Sequence, residues 1–98
     1  MTNKIVPIKI KTTEGTIVQN GWTTSTPGLF IHCDLANPQL FTITTASGLK
    51  LQDSIPSFEV ANNITSKISK IIKNWSSIKR ATDVTMQEYN AIQRVLKA

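Results

Sequence analysis

The chain holds one cysteine, one histidine, four glycines and only six acidic residues among its 98 positions, and each scarcity removes a class of explanation. A lone cysteine, Cys33, permits no internal disulfide, whereas secreted domains of this size normally carry several bridges to offset a thin core. A reducing, cytoplasmic setting is therefore expected. One histidine, one cysteine and scattered carboxylates provide no short-spaced ligand set of the kind zinc or calcium needs. The four glycines stand singly in turn contexts rather than in a phosphate-cradling loop, so no cofactor is expected. No apolar run approaches the roughly 18 residues of a membrane-spanning helix. The opening stretch interleaves Lys4, Lys9 and Lys11 with Ile5, Val6, Ile8 and Ile10, unlike the unbroken apolar segment of a signal peptide. No membrane partner is expected.

What is present suits a folded chain. Apolar residues form 40% and charged residues 17% of the sequence, far from the polar, highly charged regime of disorder, and the length fits one core and hence one domain. The first half reads in period two. Val6, Ile8 and Ile10 oppose Lys9 and Lys11, with Pro7 marking an edge. Glu14-Gly15 is a turn signal, Asn20-Gly21 a turn or bulge signal, and Pro27-Gly28 breaks the chain. Leu29, Ile31, Cys33 and Leu35 alternate with Phe30, His32 and Asp34 in the clearest strand. Asn37-Pro38 turns it, Leu40 to Thr45 forms another, and Ser47-Gly48 leads to Leu49-Lys50-Leu51. An antiparallel meander of four to five strands over residues 4–52 follows.

Beyond Pro56 the period becomes helical. Val60, Ile64, Ile68, Ile71, Ile72, Trp75 and Ile78 share an apolar stripe about 120° wide if 57–79 is one long helix. Ser57 suits its N-cap and Glu59 its first turn. A shorter helix over 86–97 is announced by the capping-box pair Thr85 and Glu88 and by a hydrophobic staple of Val84 on Tyr89. Tyr89, Ile92, Val95 and Leu96 form its packing face. The fold class is α+β, with the long helix laid on one face of the sheet and the other face wet or occupied by a partner.

Catalytic constellations are lacking. His32 and Cys33 are adjacent, but successive side chains on a strand point to opposite faces, so they cannot act as a nucleophile and base. Cys33 reads as a small buried side chain and His32 as an exposed or half-exposed sheet residue. Glu14, Asp34, Asp53, Glu59, Asp83 and Glu88 include no close sequence pair, and the serines lack a base. Asn63-Ile64-Thr65 and Asn74-Trp75-Ser76 match glycosylation acceptors but fall on the expected helix of a cytosolic chain. The chain is expected not to be an enzyme.

The distinctive feature is charge of one sign. The formal net charge is +5, and between Val60 and Thr82 there are five basic residues, Lys67, Lys70, Lys73, Lys79 and Arg80, with no acidic one. On one helix, Lys67, Lys70, Lys73 and Arg80 fan over an arc of about 140°, whereas a merely solvated helix gains from mixed-sign pairs at i,i+4. These four residues, joined by Lys9 and Lys11, are the candidate partner- or phosphate-binding set. Trp75 belongs to the core, and Trp22 after its turn is the candidate contact aromatic.

The stretch Gly21-Trp22-Thr23-Thr24-Ser25-Thr26-Pro27-Gly28-Leu29-Phe30-Ile31-His32, with Phe41-Thr42-Ile43-Thr44 and Ser47-Gly48-Leu49, resembles small accessory proteins carried by phages and conjugative elements. The resemblance covers about half the chain and implies a genomic setting rather than an activity. Together with the one-signed segment it suggests an accessory protein that docks on a host nucleic-acid-handling complex, as anti-CRISPR proteins do, and inhibits or modulates it. The alternative is direct, weakly sequence-specific nucleic-acid binding through the same basic face.

Overall fold

The computed structural model describes residues 3–97; Met1 and Thr2, at the start of the interleaved opening stretch, lie outside them. Five strands, β1 (Ile5–Thr12), β2 (Gly15–Thr23), β3 (Leu29–Cys33), β4 (Phe41–Thr45) and β5 (Lys50–Ile55), are followed by helices α1 (Phe58–Ile68) and α2 (Met86–Leu96). All strand pairs are antiparallel and neighbours follow chain order. The α+β class holds. The regularity of a meander does not: β2 meets β3 only through Trp22↔Ile31 and Thr23↔Phe30, and the β4–β5 ladder shifts register between Phe41 and Thr44.

The turn or bulge expected at Asn20-Gly21 is absent: both residues run inside β2 in unbroken register with β1. Gly21 serves close packing instead, since a Cβ there would stand 2.6 Å from the Ile31 carbonyl and run into Ile8 Cδ1. The other turns form as read: Gly15, Gly28 and Gly48 all adopt positive φ, which costs glycine nothing. Leu35, expected to face inward, lies beyond β3 and is exposed.

The second face of the sheet is partly covered. β1 curls until its outer edge meets the β4–β5 turn, where the Lys11 amide donates to the Gly48 carbonyl at 3.2 Å. Ile8 and Ile10 then cover that face, and His32, Thr42 and Thr44 are buried beneath them. The opposite face carries the main core of Leu29, Ile31, Ile43, Ile55, Ala61, Ile68, Ile72, Trp75, Ile78 and Ile92.

The single long helix over 57–79 is overturned: α1 ends at Ile68. Its start matches expectation, with Ser57 Oγ accepting from the Val60 amide at 3.1 Å. The stop has a local cause. The segment from Asn62 to Ser66 is rich in Asn, β-branched and Ser residues, all modest helix formers, and the Ser69 hydroxyl turns back to the Ser66 carbonyl at 2.7 Å. The next bonds run i→i−3, from Ile71 N to Ile68 O, and Asn74 caps a short 3-10 turn at Trp75–Ser77. Ile68, Ile72, Trp75 and Ile78 are buried all the same; the apolar spacing marks core residues without requiring a continuous helix. Val60, in that stripe, is exposed.

The capping box of α2 is present in both directions, Thr85 N to Glu88 Oε1 at 2.9 Å and Glu88 N to Thr85 Oγ1 at 3.1 Å. Tyr89, expected in the packing face, is 53% exposed, and α2 packs through Ile92, with Val95 and Leu96 beside it. No helix among the described residues is long and apolar enough to cross a membrane.

Candidate functional site

With α1 ending at Ile68, the basic residues occupy three kinds of backbone rather than one arc. Lys67 is in the last turn of α1, Lys70 and Lys73 lie in the turns that follow, and Arg80 stands in the stretch before Ala81–Asp83. All four are exposed. The ion pair found among the described residues joins Lys50 to Asp53 at 2.8 Å, so none of the cations in the 67–80 segment is in an ion pair there.

Tertiary contacts hold that segment in place. Ser47 Oγ donates to the Ile78 carbonyl at 2.7 Å, tying the segment to the β4–β5 turn. Lys11 Nζ reaches the Lys79 carbonyl at 3.4 Å, which places this β1 cation against the segment. Lys9 is exposed on the same strand. Asp83, the nearest acid in sequence, directs Oδ2 to the backbone amides of Lys79 and Arg80 at 2.9 and 3.1 Å. Those two bonds, Lys79 first, hold its carboxyl below the usual carboxylate value. Asp83 thus organises the basic backbone while leaving the Lys79 and Arg80 side chains free of an ion pair. Lys79 was counted in the basic run but left out of the candidate set, and the role of Asp83 was missed; the spacing of an Asp three and four residues after two basic residues was the available signal.

Trp22 is not a free-standing contact aromatic. It is half-buried and packs edge-on against Phe58 at 5.2 Å between ring centroids, and against Phe41 at 6.2 Å. Its position in the ladder opposite Ile31 turns it toward the helix-covered face. This cluster seats the N-terminal turn of α1 on the sheet.

A cleft of about 500 Å³ opens between the end of β1 and the β3–β5 strands, lined among others by Ile10, Thr12, Asp34, Leu35, Thr42 and Lys50. Its floor contains the largest departure from the sequence reading, because His32 is only 2% exposed. Nδ1 lies 2.8 Å from the Cys33 carbonyl and must donate to it, and burial depresses the imidazole pKa. The ring is therefore neutral, and Nε2 accepts from Thr44 Oγ1 at 2.7 Å. Thr44 is fully buried, so the pair satisfies interior polar groups instead of presenting a nucleophile. Thr42 donates to Asp34 Oδ1, and Asp34 also receives the Ser54 amide at 3.2 Å, bracing Ser54 at its positive φ. Cys33 faces away from His32, opposite Phe41 in the β3–β4 ladder, as the strand reading expects.

No family model, curated protein or solved structure matches the chain.

Proposed function

We propose that the chain is a non-catalytic binding protein, a mobile-element accessory that docks on a host nucleic-acid-handling complex and inhibits or modulates it through the basic 67–80 segment. One observation carries the reading. Five cations, Lys67, Lys70, Lys73, Lys79 and Arg80, are exposed with no ion pair to any of them among the described residues, and Ser47, Lys11 and Asp83 hold the backbone at Ile78–Arg80. Exposed charge outside ion pairs suits an anionic surface, because attraction to the partner is not offset by breaking internal pairs. The resemblance in residues 21–49 supports the setting.

The test is a pull-down with the intact chain and purified nucleic-acid-handling complexes, including a CRISPR effector, beside a Lys67→Glu, Lys70→Glu, Arg80→Glu variant. Stable capture by the native chain and its loss in the variant, with unchanged circular dichroism, supports docking. Absence of any stable protein partner overturns it. Direct nucleic-acid binding gives a different result: affinity for DNA or RNA alone, with log K falling against log salt at a slope of about −3 to −4 for four phosphate contacts.

A further inference from the structure

The first hairpin leaves one margin of the sheet without a ladder partner among the described residues. β2 pairs with β1 from Gly15 to Trp22, but with β3 only at Trp22↔Ile31 and Thr23↔Phe30. Continued one step, the second register would set Asn20 against Cys33, and the Asn20 amide would donate to the Cys33 carbonyl. That carbonyl is already taken, by Gln19 Nε2 at 3.0 Å and by His32 Nδ1 at 2.8 Å. Both lone pairs of the oxygen are then engaged, so the ladder stops and residues 15–20 run on beside β1 alone.

The phase of the β1–β2 ladder shows which groups face this margin. In an antiparallel pair, alternate residues turn their backbone groups toward the partner strand and those between turn them away. The Thr23 amide donates to the Lys4 carbonyl at 2.8 Å, so Thr23, Gly21, Gln19 and Ile17 face β1. The Lys11 amide points away from β2, to Gly48, and its ladder partner Thr16 therefore points away from β1. Thr16, Val18 and Asn20 thus direct their N–H and C=O groups outward over about 17 Å, the length of a five-residue strand. All three are exposed. The other margins are less open: Gly48 covers part of β1, and β5 carries a register shift and Ser54 at positive φ, irregularities that discourage pairing.

An open strand margin recognises extended polypeptide, and the charge beside it selects the sequence. No ionisable residue lies between Gly15 and Thr23. Lys9 stands opposite Val18 and Lys11 opposite Thr16, both exposed, and such cross-strand pairs share a face. Ile17, 40% exposed, lies on the other face. Glu14 at the hairpin tip is the single acid of the hairpin. A second copy of this chain would bring its own net charge of +5 to the same place.

We propose that residues 15–20 of β2 dock an extended acidic segment of a protein partner as an added strand, with carboxylates toward Lys9 and Lys11 and apolar side chains beside Ile17. The inference goes beyond the docking reading in naming the margin and the form of the partner, and rests on it only for there being a protein partner.

The test uses the full chain, an eight-residue peptide alternating Glu and Val, and a Lys-Val peptide of the same pattern, with amide exchange followed by NMR. In the free chain the Thr16, Val18 and Asn20 amides are expected to exchange faster than those of Ile17 and Gln19. The Glu-Val peptide is expected to slow them saturably by about tenfold, the scale of one hydrogen bond, and the Lys-Val peptide to leave them unchanged. Val18→Pro removes an outward donor without touching a bond to β1 and is expected to abolish the response. Lys9→Glu with Lys11→Glu is expected to exchange the preference between the two peptides. Outward amides as slow as their neighbours in the free chain, no response to the Glu-Val peptide, or equal response to both peptides overturns the proposal. So does protection that rises with chain concentration alone, which would put a second copy at the margin. The Lys67→Glu, Lys70→Glu, Arg80→Glu variant keeps the two readings apart, since it removes docking through the basic segment and leaves the peptide response in place.

Discussion

Thr44 Oγ1 donates to His32 Nε2 at 2.7 Å inside the curled sheet, with the other ring nitrogen held by the Cys33 carbonyl. Both nitrogens are engaged by a neutral ring, so protonation would turn Nε2 from an acceptor into a second donor facing the Thr44 hydroxyl.

A pH dependence follows from that neutral ring. The folded-state pKa of His32 lies below its ordinary value of 6.5, so the unfolded chain binds the proton first. Stability is fully present above about pH 6.5 and declines as pH falls from there toward the folded-state value. Asp53 and Asp83 also have lowered values, but from 3.8, so their contribution is lost in a separate, more acidic window. Because the chain has one histidine, its ring-proton NMR titration reads this group alone. A midpoint at or above 6.5, or urea stability unchanged between pH 7.5 and pH 5, would contradict the buried neutral ring.

Gly28→Ala is expected to be among the most damaging small substitutions. Gly28 has φ +93°, and an added Cβ meets Ser76 N at 2.5 Å and Trp75 C at 2.8 Å, all backbone. Conformational strain and overpacking add, for a loss of about 3 kcal/mol in a urea melt. Gly15→Ala is the control, since Gly15 shares the positive φ but has nothing within 4 Å; a similar loss there would mean that strain alone decides.

Removing the α2 cap has a smaller, local cost. Thr85→Ala deletes the acceptor of the Glu88 amide and is expected to cost about 1 kcal/mol. Hydrogen exchange should quicken over the first turn of α2 and leave the sheet untouched. Unchanged protection at Glu88 would show that the cap contributes nothing.

The sequence made some of this legible and hid the rest for a physical reason. Thr85 and Glu88 were readable because a capping box depends on residues three apart. Ile68, Ile72, Trp75 and Ile78 were readable as core because burial follows spacing whether the backbone is helical or a chain of tight turns. The end of α1 was not, since the modest helix formers from Asn62 to Ser66 sit inside an apolar spacing that a longer helix would satisfy equally well. His32 was misjudged because its cover, Ile8 and Ile10, arrives through the bend of β1. The cations were visible by type, but the place of Lys11 against Lys79 depends on a contact distant in sequence.

Asp83→Ala tests the organisation of the basic segment. Loss of the two bonds to the Lys79 and Arg80 amides should speed amide exchange at both residues at neutral pH. In the native chain the same acceleration should appear on acidification below the ordinary carboxylate value of 3.8, as the depressed carboxyl of Asp83 titrates. Exchange rates equal in variant and native chains would assign the ordering of 79–80 to Lys11 and Ser47 instead.

The contact of Lys11 with Gly48 also has a bearing on solubility at high concentration. A bare outer strand is a template on which another chain can extend the sheet. Here that margin is folded onto the hairpin between the fourth and fifth strands and fastened by a backbone bond, with Lys9 and Lys11 exposed beside it. Edge-to-edge stacking of copies through β1 must first undo that fastening and bring like charges together, so the same bend that hides His32 also guards the chain against fibrous self-association.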